Sequence, residues 1–379
     1  MVLCFVFVVF CYTLPYIVHL KTNLMQAVII GSGQIGLGFL GLQLHTLGIT
    51  PTFIEAIPER VALLKNNKNA LIRIKSATRE EQKLLPITSV YHTSESAEII
   101  AKADIVLTAV GATNLPAVAK LLKDAQTLRD RADHKKPLRI LVIACENLPG
   151  NGALLSSHLS EYGIPKGTIL TPDTVVDCIV TPWKESDHPV SLSRESYSML
   201  KIDGVYPGVS DFENTLTSLG VQFTSNINAT LFEKLAVVNG THAALAYLGA
   251  HAHNETIDKA VENQYIRNIA VQFAEHASYA VGLKYPAYTL SVSSSQVLER
   301  FSVALGDSPE RVGRDPRRKL KENDRIVSAA KLLCEAHIVP EAHILTAAAG
   351  MKFAGDDEVL DAPLALFNAS VTAKQIFYL

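Results

Sequence analysis

The chain has 379 residues, 48% of them hydrophobic, with 35 Lys and Arg against 37 Asp and Glu for a formal charge of -2. That balance argues against a nucleic-acid surface and against an acidic solvating tail, and the length suits two globular domains. Five scattered cysteines with no CxxC pair argue against a disulfide framework and a structural zinc site, and leave free thiols in a reducing compartment.

Residues 1–24 are an apolar opening, nearly unbroken over Val2–Phe10. A membrane anchor or an export signal is one reading. No basic segment precedes the run, no small-x-small cleavage site follows it, and Pro15 and His19 interrupt it. Met25 stands immediately before the first expected strand. The expectation is an N-terminal extension, a start at Met25, and a cytoplasmic protein without a membrane partner.

From Met25 the pattern alternates. Gln26–Ile30 reads as a buried strand, Phe39–Leu47 as a helix, Thr52–Glu55 as a strand and Pro58–Asn66 as a helix. Ala103–Val110 and Leu138–Ala144 are further apolar strands, with Leu115–Leu122 a helix between them. Strands apolar on both faces and separated by helices imply a doubly wound parallel sheet. Val190–Ser193 and Val221–Thr224 read as strands decorating it. Helical periodicity then dominates over Thr230–Leu248, Thr256–Val281, Ser294–Leu305 and Asp324–Ala336. The fold class is therefore α/β plus all-α: a Rossmann-type domain over 25–225 and a helical substrate domain over 226–379.

The first strand runs into Gly31-x-Gly33-x-x-Gly36. Alone the motif is weak evidence. After a strand and before a helix it is what a dinucleotide needs: a tight turn, close backbone approach to the pyrophosphate, and a helix N-terminus facing the phosphates. Glu55, 24 residues after Gly31, ends the second strand, where an acidic side chain accepts bonds from ribose hydroxyls and repels a 2′-phosphate. Arg60 is the nearest cation that could counter it. NAD is the expected cofactor, with contacts from Gly31, Gly33, Gln34, Ile35, Gly36, Glu55, Val110 and Asn147.

Oxidation of an alcohol needs a base and donors for the developing alkoxide. None of the 12 histidines has a zinc-ligand arrangement with cysteine. His251-x-His253 reads as a helix end. Tyr162 and Lys166 have the spacing of a Tyr-x-x-x-Lys pair, but Gly163 and Pro165 between them break the helix. The remaining option is a lysine base with amide donors. Lys234, Asn239 and His242 fall toward one face of an expected helix start, and Asn147 lies just past a strand's C-terminal end, where such sheets bind ligands. Blander roles stay open: a surface lysine, a turn-capping Asn239, a core His242, and an Asp177 that caps a helix or holds a structural arginine. For Arg311–Lys321 the choice lies between a phosphate grip by Arg314, Arg317, Arg318 and Lys319 and a solvated helix start.

Ala144-Cys-Glu-Asn147, Val175-Val-Asp177, and Lys234-x4-Asn239-x2-His242 followed by Ala243-x-x-Ala-Tyr-Leu-Gly249 resemble the polyol-specific long-chain dehydrogenases. The segment from Glu310 through Lys319 to Arg325 is similar to the branch acting on polyol phosphates, and the resemblance runs from Met25 to about Phe353. It implies NAD-dependent, metal-free interconversion of mannitol 1-phosphate and fructose 6-phosphate. It implies Lys234 as general acid/base, Asn147 and Asn239 as alkoxide donors, His242 as a substrate contact and Asp177 as a polar neighbour. Arg314, Arg317 and Lys319 are the expected phosphate contacts, and a monomer or homodimer the expected assembly. Open alternatives are mannitol, fructose or a hexuronate (fructuronate, tagaturonate) as substrate, or a catalytically impaired NAD-binding homologue. The sequence departs from the family at Leu37, where an arginine beside the pyrophosphate is usual, over Ser302–Pro309, and in ending at Leu379.

Overall fold

The computed structural model describes residues 25–131, 139–183 and 188–355. The expectation of an N-terminal extension over residues 1–24 lies outside them, as do residues 356–379.

The first half builds its main sheet from short strands. β1 (Ala27–Ile30) leads into a π-helical stretch, Gly36–Gly41, and α1 (Leu42–Thr46). β2 (Thr52–Glu55) and α2 (Pro58–Asn67) follow, then a hairpin of β3 (Asn69–Lys75) and β4 (Glu80–Pro86). β5 (Val90–His92), α3 (Ala97–Lys102), β6 (Ile105–Thr108), α4 (Leu115–Arg131), β7 (Ile140–Ala144), α5 (Asn151–Glu161) and β8 (Ile169–Leu170) complete it. The strand order is β5-β2-β1-β6-β7-β8, all pairs parallel. Without the hairpin this is the 3-2-1-4-5-6 order of dinucleotide-binding sheets, whose connections change direction beside β1. Both faces are covered. Ala27 and Ile29 join one buried cluster and Val28 and Ile30 the other, which is why these strands read as unbroken apolar runs.

Two small sheets flank the main one. β10 (Ser191–Glu195) pairs with β3, while β11 (Met199–Asp203) lies between β9 (Thr174–Asp177) and β12 (Gln222–Thr224). The decorating strands expected near 190 and 221 are present. The hairpin, β5, β8, β9 and β11 are strands that periodicity missed. β3 and β4 alternate only weakly, and the pairing of β3 with β10 joins residues about 120 positions apart, as Ser191 opposite Leu71 illustrates.

After α6 (Glu213–Ser218) and β12 the described chain is helical. Asn226 caps α7 (Ile227–Glu233) by accepting from Ala229 N. A second π-helical stretch, Lys234–Asn239, joins it to α8 (Gly240–His251). α9 (Ile257–Glu262), α10 (Gln264–Lys284), α11 (Ser294–Phe301), α12 (Pro309–Gly313), α13 (Pro316–Lys319), α14 (Val327–Glu335) and α15 (Glu341–Ala354) complete the described chain. Nearly all of α8 is buried, packed by α9, α10, α12 and α15. Among the described residues no helix is long and apolar enough to cross a membrane.

One core residue has a pH consequence. His343 is fully buried against Phe273, rings 3.8 Å apart, and neither ring nitrogen has a partner among the described residues. Burial, with His276 nearby, pushes its pKa down to about 3. The unfolded chain takes up that proton near pH 6.5 and the folded chain does not, so stability falls as pH drops from about 6.5 toward 3. His343→Leu is expected to remove about 2 kcal/mol of the stability lost between pH 7 and pH 5, read from urea midpoints at both values. Identical losses in the two proteins would rule the residue out as the source.

Candidate functional site

The glycine motif closes at the C-terminal end of β1. Gly31 has φ +99°, and a Cβ there would stand 2.5 Å from the Ala109 carbonyl oxygen. A Cβ on Gly36 would lie 1.9 Å from the Gly31 oxygen, so helix and strand could not pack. A Cβ on Gly33 would meet nothing within 4 Å. It would project into open space beside a cavity of about 560 Å³ lined by Gly33, Gln34, Ile35, Val110 and Asn147. A bare loop facing an open cleft at the sheet's switch point fits a dinucleotide pyrophosphate.

Glu55 is buried at the end of β2 and its acceptor positions are filled. Oε2 accepts from Ser32 N at 3.2 Å and Ser32 Oγ at 2.5 Å, while Oε1 accepts from Ala56 N and Ile57 N. A ribose diol would have to replace the Ser32 hydroxyl. Leu37 is fully buried in the core of the first half.

Asn147 sits past β7 on a turn held from below. The buried Glu146 carboxylate accepts from Thr108 Oγ1 at 2.7 Å and Val110 N at 3.0 Å, tying the ends of β6 and β7 together. Burial raises the Glu146 pKa. Asn151 Nδ2 donates to the Glu146 and Thr174 carbonyls, bracing the same turn.

Lys234 meets Asn147 across the cleft. Its Nζ donates to Asn147 Oδ1 at 2.7 Å and to the Val176 carbonyl. An ammonium only donates, so the Asn147 oxygen must face it, which turns Nδ2 away as a free donor. The lysine is buried, and burial, reinforced by Arg300 and Arg325 and opposed by Asp177, lowers its pKa below the ordinary range.

Lys234, Asn147, Asn239, His242 and Asp177 all line a second cavity of about 300 Å³, which shares Gln34, Ile35, Cys145 and Asn147 with the first. The helix that presents them corrects the sequence argument. Five residues on a regular α-helix span about 140°, too wide for Lys234 and Asn239 to share a face. The π-helical stretch Lys234–Asn239 brings residues five apart to roughly one turn, and such bulges cluster at functional sites.

His242 Nε2 lies 3.4 Å from Asp307 Oδ2, and its ring stacks on Phe301 at 4.4 Å. Burial lowers its pKa, with the Asp307 contact in opposition. Burial works against Asp307 ionising, but His242 and Arg311 outweigh it and hold that carboxyl down at about 2. A neutral His242 therefore carries its hydrogen on Nε2, and Nδ1 is an acceptor. Asp307 falls within Ser302–Pro309, noted only as a departure from the family.

Asp177 is engaged elsewhere. Arg300, from α11, donates to both its oxygens at 2.8 and 3.1 Å, and to both oxygens of Glu195 at 2.9 and 2.8 Å. Asp177 thus holds an arginine, as one of the blander readings allowed, and it still lines the cavity beside Lys234 as a polar neighbour. Burial opposes its ionisation, but Arg300, then Lys234 and His242, hold its pKa below the ordinary range.

The basic run divides. Arg311, Arg314, Arg318, Lys319 and Arg325 line the cavity with Lys234, and Arg317 does not. Arg317 follows Pro316 in the short α13 and is exposed, outside the residues that line this cavity. Arg311 pairs with Asp307, while Arg318 and Arg325 pair with Asp324. Arg314 has no carboxylate partner among the described residues and is exposed. Lys319 donates to the Val312 and Arg314 carbonyls, fastening the turn that presents Arg314. Burial, then Arg325 and Arg318, pushes its pKa down to about 7. Cys145 and Cys178 also line the cavity as free thiols whose pKa values burial pushes up, to about 12 for Cys178, so neither is a nucleophile. Among the described residues no cluster of His, Cys, Asp and Glu is arranged to hold a metal ion.

Residues 25–213 match the mannitol dehydrogenase Rossmann domain, and residues 226–366 the mannitol dehydrogenase C-terminal domain. The chain belongs to the mannitol dehydrogenase family. Within this family it is 31% identical over 342 residues to a mannitol-1-phosphate 5-dehydrogenase of Thermoanaerobacter pseudethanolicus, covering 87% of this chain and 86% of that protein. It is 28% identical to that of Bacillus subtilis, over 89% and 90% of the two chains. The fold is shared with Pseudomonas fluorescens mannitol 2-dehydrogenase, solved as a ternary complex with NAD and D-mannitol, at TM-score 0.66 and 17% identity over 87% of this chain and 79% of that one. A D-sorbitol dehydrogenase superposes at TM-score 0.67 with 14% identity, over 88% and 80%.

Proposed function

We propose that the chain is an NAD-dependent, metal-free oxidoreductase that interconverts mannitol 1-phosphate and fructose 6-phosphate, with Lys234 as general acid/base. The observation that carries the reading is the buried Lys234–Asn147 contact at 2.7 Å, placed where the cleft along the glycine loop meets a cavity walled by arginines. The curated relatives named above are mannitol-1-phosphate 5-dehydrogenases, which supports the same substrate.

Bound NAD supplies the hydride acceptor, held by Gly31, Gly33, Gln34, Ile35, Gly36 and Val110 along the cleft. Neutral Lys234 takes the proton of the reacting hydroxyl, and its lowered pKa leaves more of the amine neutral at a given pH than in a free lysine. The oxygen gains negative charge as its proton leaves. Asn147 Nδ2 and the Asn239 amide are the donors for that charge. His242 Nδ1 accepts from a neighbouring substrate hydroxyl. In the reductive direction Lys234 returns the proton to the carbonyl oxygen.

The phosphate goes to Arg314 with Arg318 and Arg325, and a free polyol would offer no anion to Arg314, the one of the three without a carboxylate partner among the described residues. Purified protein with NADH should therefore reduce fructose 6-phosphate with a far higher kcat/KM than fructose or the hexuronates. Equal turnover of fructose and fructose 6-phosphate would sink the phosphate reading. Arg314→Ala is expected to raise KM for fructose 6-phosphate roughly tenfold or more, the worth of a hydrogen bond to a charged group, and to spare KM for NADH. Arg317→Ala should change neither. An unchanged KM in the Arg314 variant would remove that residue from the site.

A further inference from the structure

The cleft along the glycine loop has two distinct ends. Asn147, past β7, opens onto Lys234. Arg60, in the first turn of α2 after β2, lines the other end together with Trp183. Between β2 and β7 lie β1 and β6, so these ends are three strand spacings apart, roughly 14 Å. If chemistry occurs at Lys234, the nicotinamide occupies the Asn147 end and the adenosine half reaches Arg60 and Trp183.

That far end has an arrangement the reaction does not use. The Arg60 guanidinium lies over the Trp183 ring at 5.5 Å from its centroid and 3.9 Å from Glu55 Oε2. Arg60 is half-exposed, at 45%, while Glu55 is buried with its acceptor positions filled by Ser32, Ala56 and Ile57. Trp183 comes from the segment following β9, which is fastened over the glycine loop because Gln34 Nε2 donates to the Val180 carbonyl at 2.9 Å. One planar cation and one large aromatic face thus stand at the mouth of the cleft, brought from opposite sides. Flat guanidinium and indole faces are what a purine ring stacks on.

We propose that Trp183 and the half-exposed Arg60, which swings off the indole to admit the base, form an adenine clamp, and that this pair rather than Glu55 sets the affinity for the adenosine half of the dinucleotide. The inference rests on the dinucleotide reading above. It assigns Glu55 a different task, the stiffening of the glycine loop through Ser32.

Trp183 is the single tryptophan of the chain, so emission excited selectively in the indole, beyond tyrosine absorption, reports on it alone. ADP-ribose, which carries the adenosine half without the nicotinamide ring, is expected to change that emission on titration. Nicotinamide mononucleotide at the same concentration should leave it unchanged. By calorimetry, Trp183→Ala should weaken ADP-ribose about tenfold, within the range for loss of one stacked base, and Trp183→Phe should retain most of the affinity. Arg60→Ala should weaken it in the same direction. If calorimetry detects neither NADH nor ADP-ribose, the dinucleotide reading falls and the clamp with it. If both bind while the emission stays constant and Trp183→Ala holds ADP-ribose as tightly as the unmodified chain, the clamp alone is overturned.

Discussion

Lys234→Ala is expected to lower kcat by about 10²–10⁴-fold in either direction while leaving NADH binding intact, because it removes the proposed proton acceptor and no part of the dinucleotide cleft. Lys234 is absent from the residues lining that cleft. The pH profile carries the sharper test. Oxidation needs the amine neutral, so kcat/KM for the alcohol rises with pH through the lysine's pKa and is lost below it. Reduction needs the ammonium, so its rate is lost as pH rises through the same value. Burial, aided by Arg300 and Arg325, places that midpoint below the ordinary lysine range. Paired profiles in the two directions should therefore cross with one common lowered midpoint, and the alanine variant should flatten both. A variant that keeps the unmodified profile at full rate would take Lys234 out of the chemistry. NADH titration of the same variant separates lost chemistry from a lost fold.

The positions legible in the sequence are those whose chemistry is local. A strand, three glycines and a helix follow one another directly, and steric crowding at Gly31 and Gly36 leaves no other residue type for those places. The four central strands of the main sheet, β1, β2, β6 and β7, were readable because burial on both faces leaves mainly apolar residues; the short edge strands β5 and β8 were not. Glu55 was visible by its position at a strand end, yet its Ser32, Ala56 and Ile57 partners were not, since they depend on how the loop closes. Lys234, Asn239 and His242 were found as residue types, and the helix geometry first invoked for them does not hold. Their common face depends on a π-helical stretch that no periodicity of 3.6 encodes. What remained hidden is long-range. Arg300 lies 123 positions from Asp177 and 105 from Glu195, and Asp307, just before α12, reaches His242 only once α8 and α12 have packed. Each is an ordinary charged residue within its own helix or loop. Only burial in the folded chain gives it a partner.

Arg300 also sets the largest stability effect expected in the molecule. It binds four carboxylate oxygens, stands 4.0 Å from the Tyr197 ring centroid, and is buried together with Asp177 and Glu195. Those carboxylates belong to β9 and β10, so one guanidinium from α11 holds two strands of the first half to the helical half. Arg300→Met keeps the apolar stem and removes the charge, leaving two buried carboxylates facing each other. Losing one partner of a buried pair costs about 3–5 kcal/mol, largely through the unpaired charge left behind. The sign with pH follows. In the unmodified chain Asp177 has a lowered pKa, so its stabilisation is present above the unfolded carboxylate range near 4 and is lost as pH falls through the folded value. In the variant the stranded carboxylates gain a raised pKa and escape their repulsion by taking up protons. The deficit should therefore be largest at pH 7 and shrink toward pH 5, as read from urea midpoints. Adding Asp177→Asn and Glu195→Gln to Arg300→Met should recover part of the loss at pH 7, since the neutral amides remove the charge that was stranded. A deficit that stays constant across this pH range would assign the effect to lost packing against Tyr197 instead. The same bridge abuts the reaction centre, because Lys234 donates to the carbonyl of Val176, the residue before Asp177. Residual kcat in the folded fraction of Arg300→Met should thus fall more than KM rises, since the displaced groups position the base and do not touch the phosphate end.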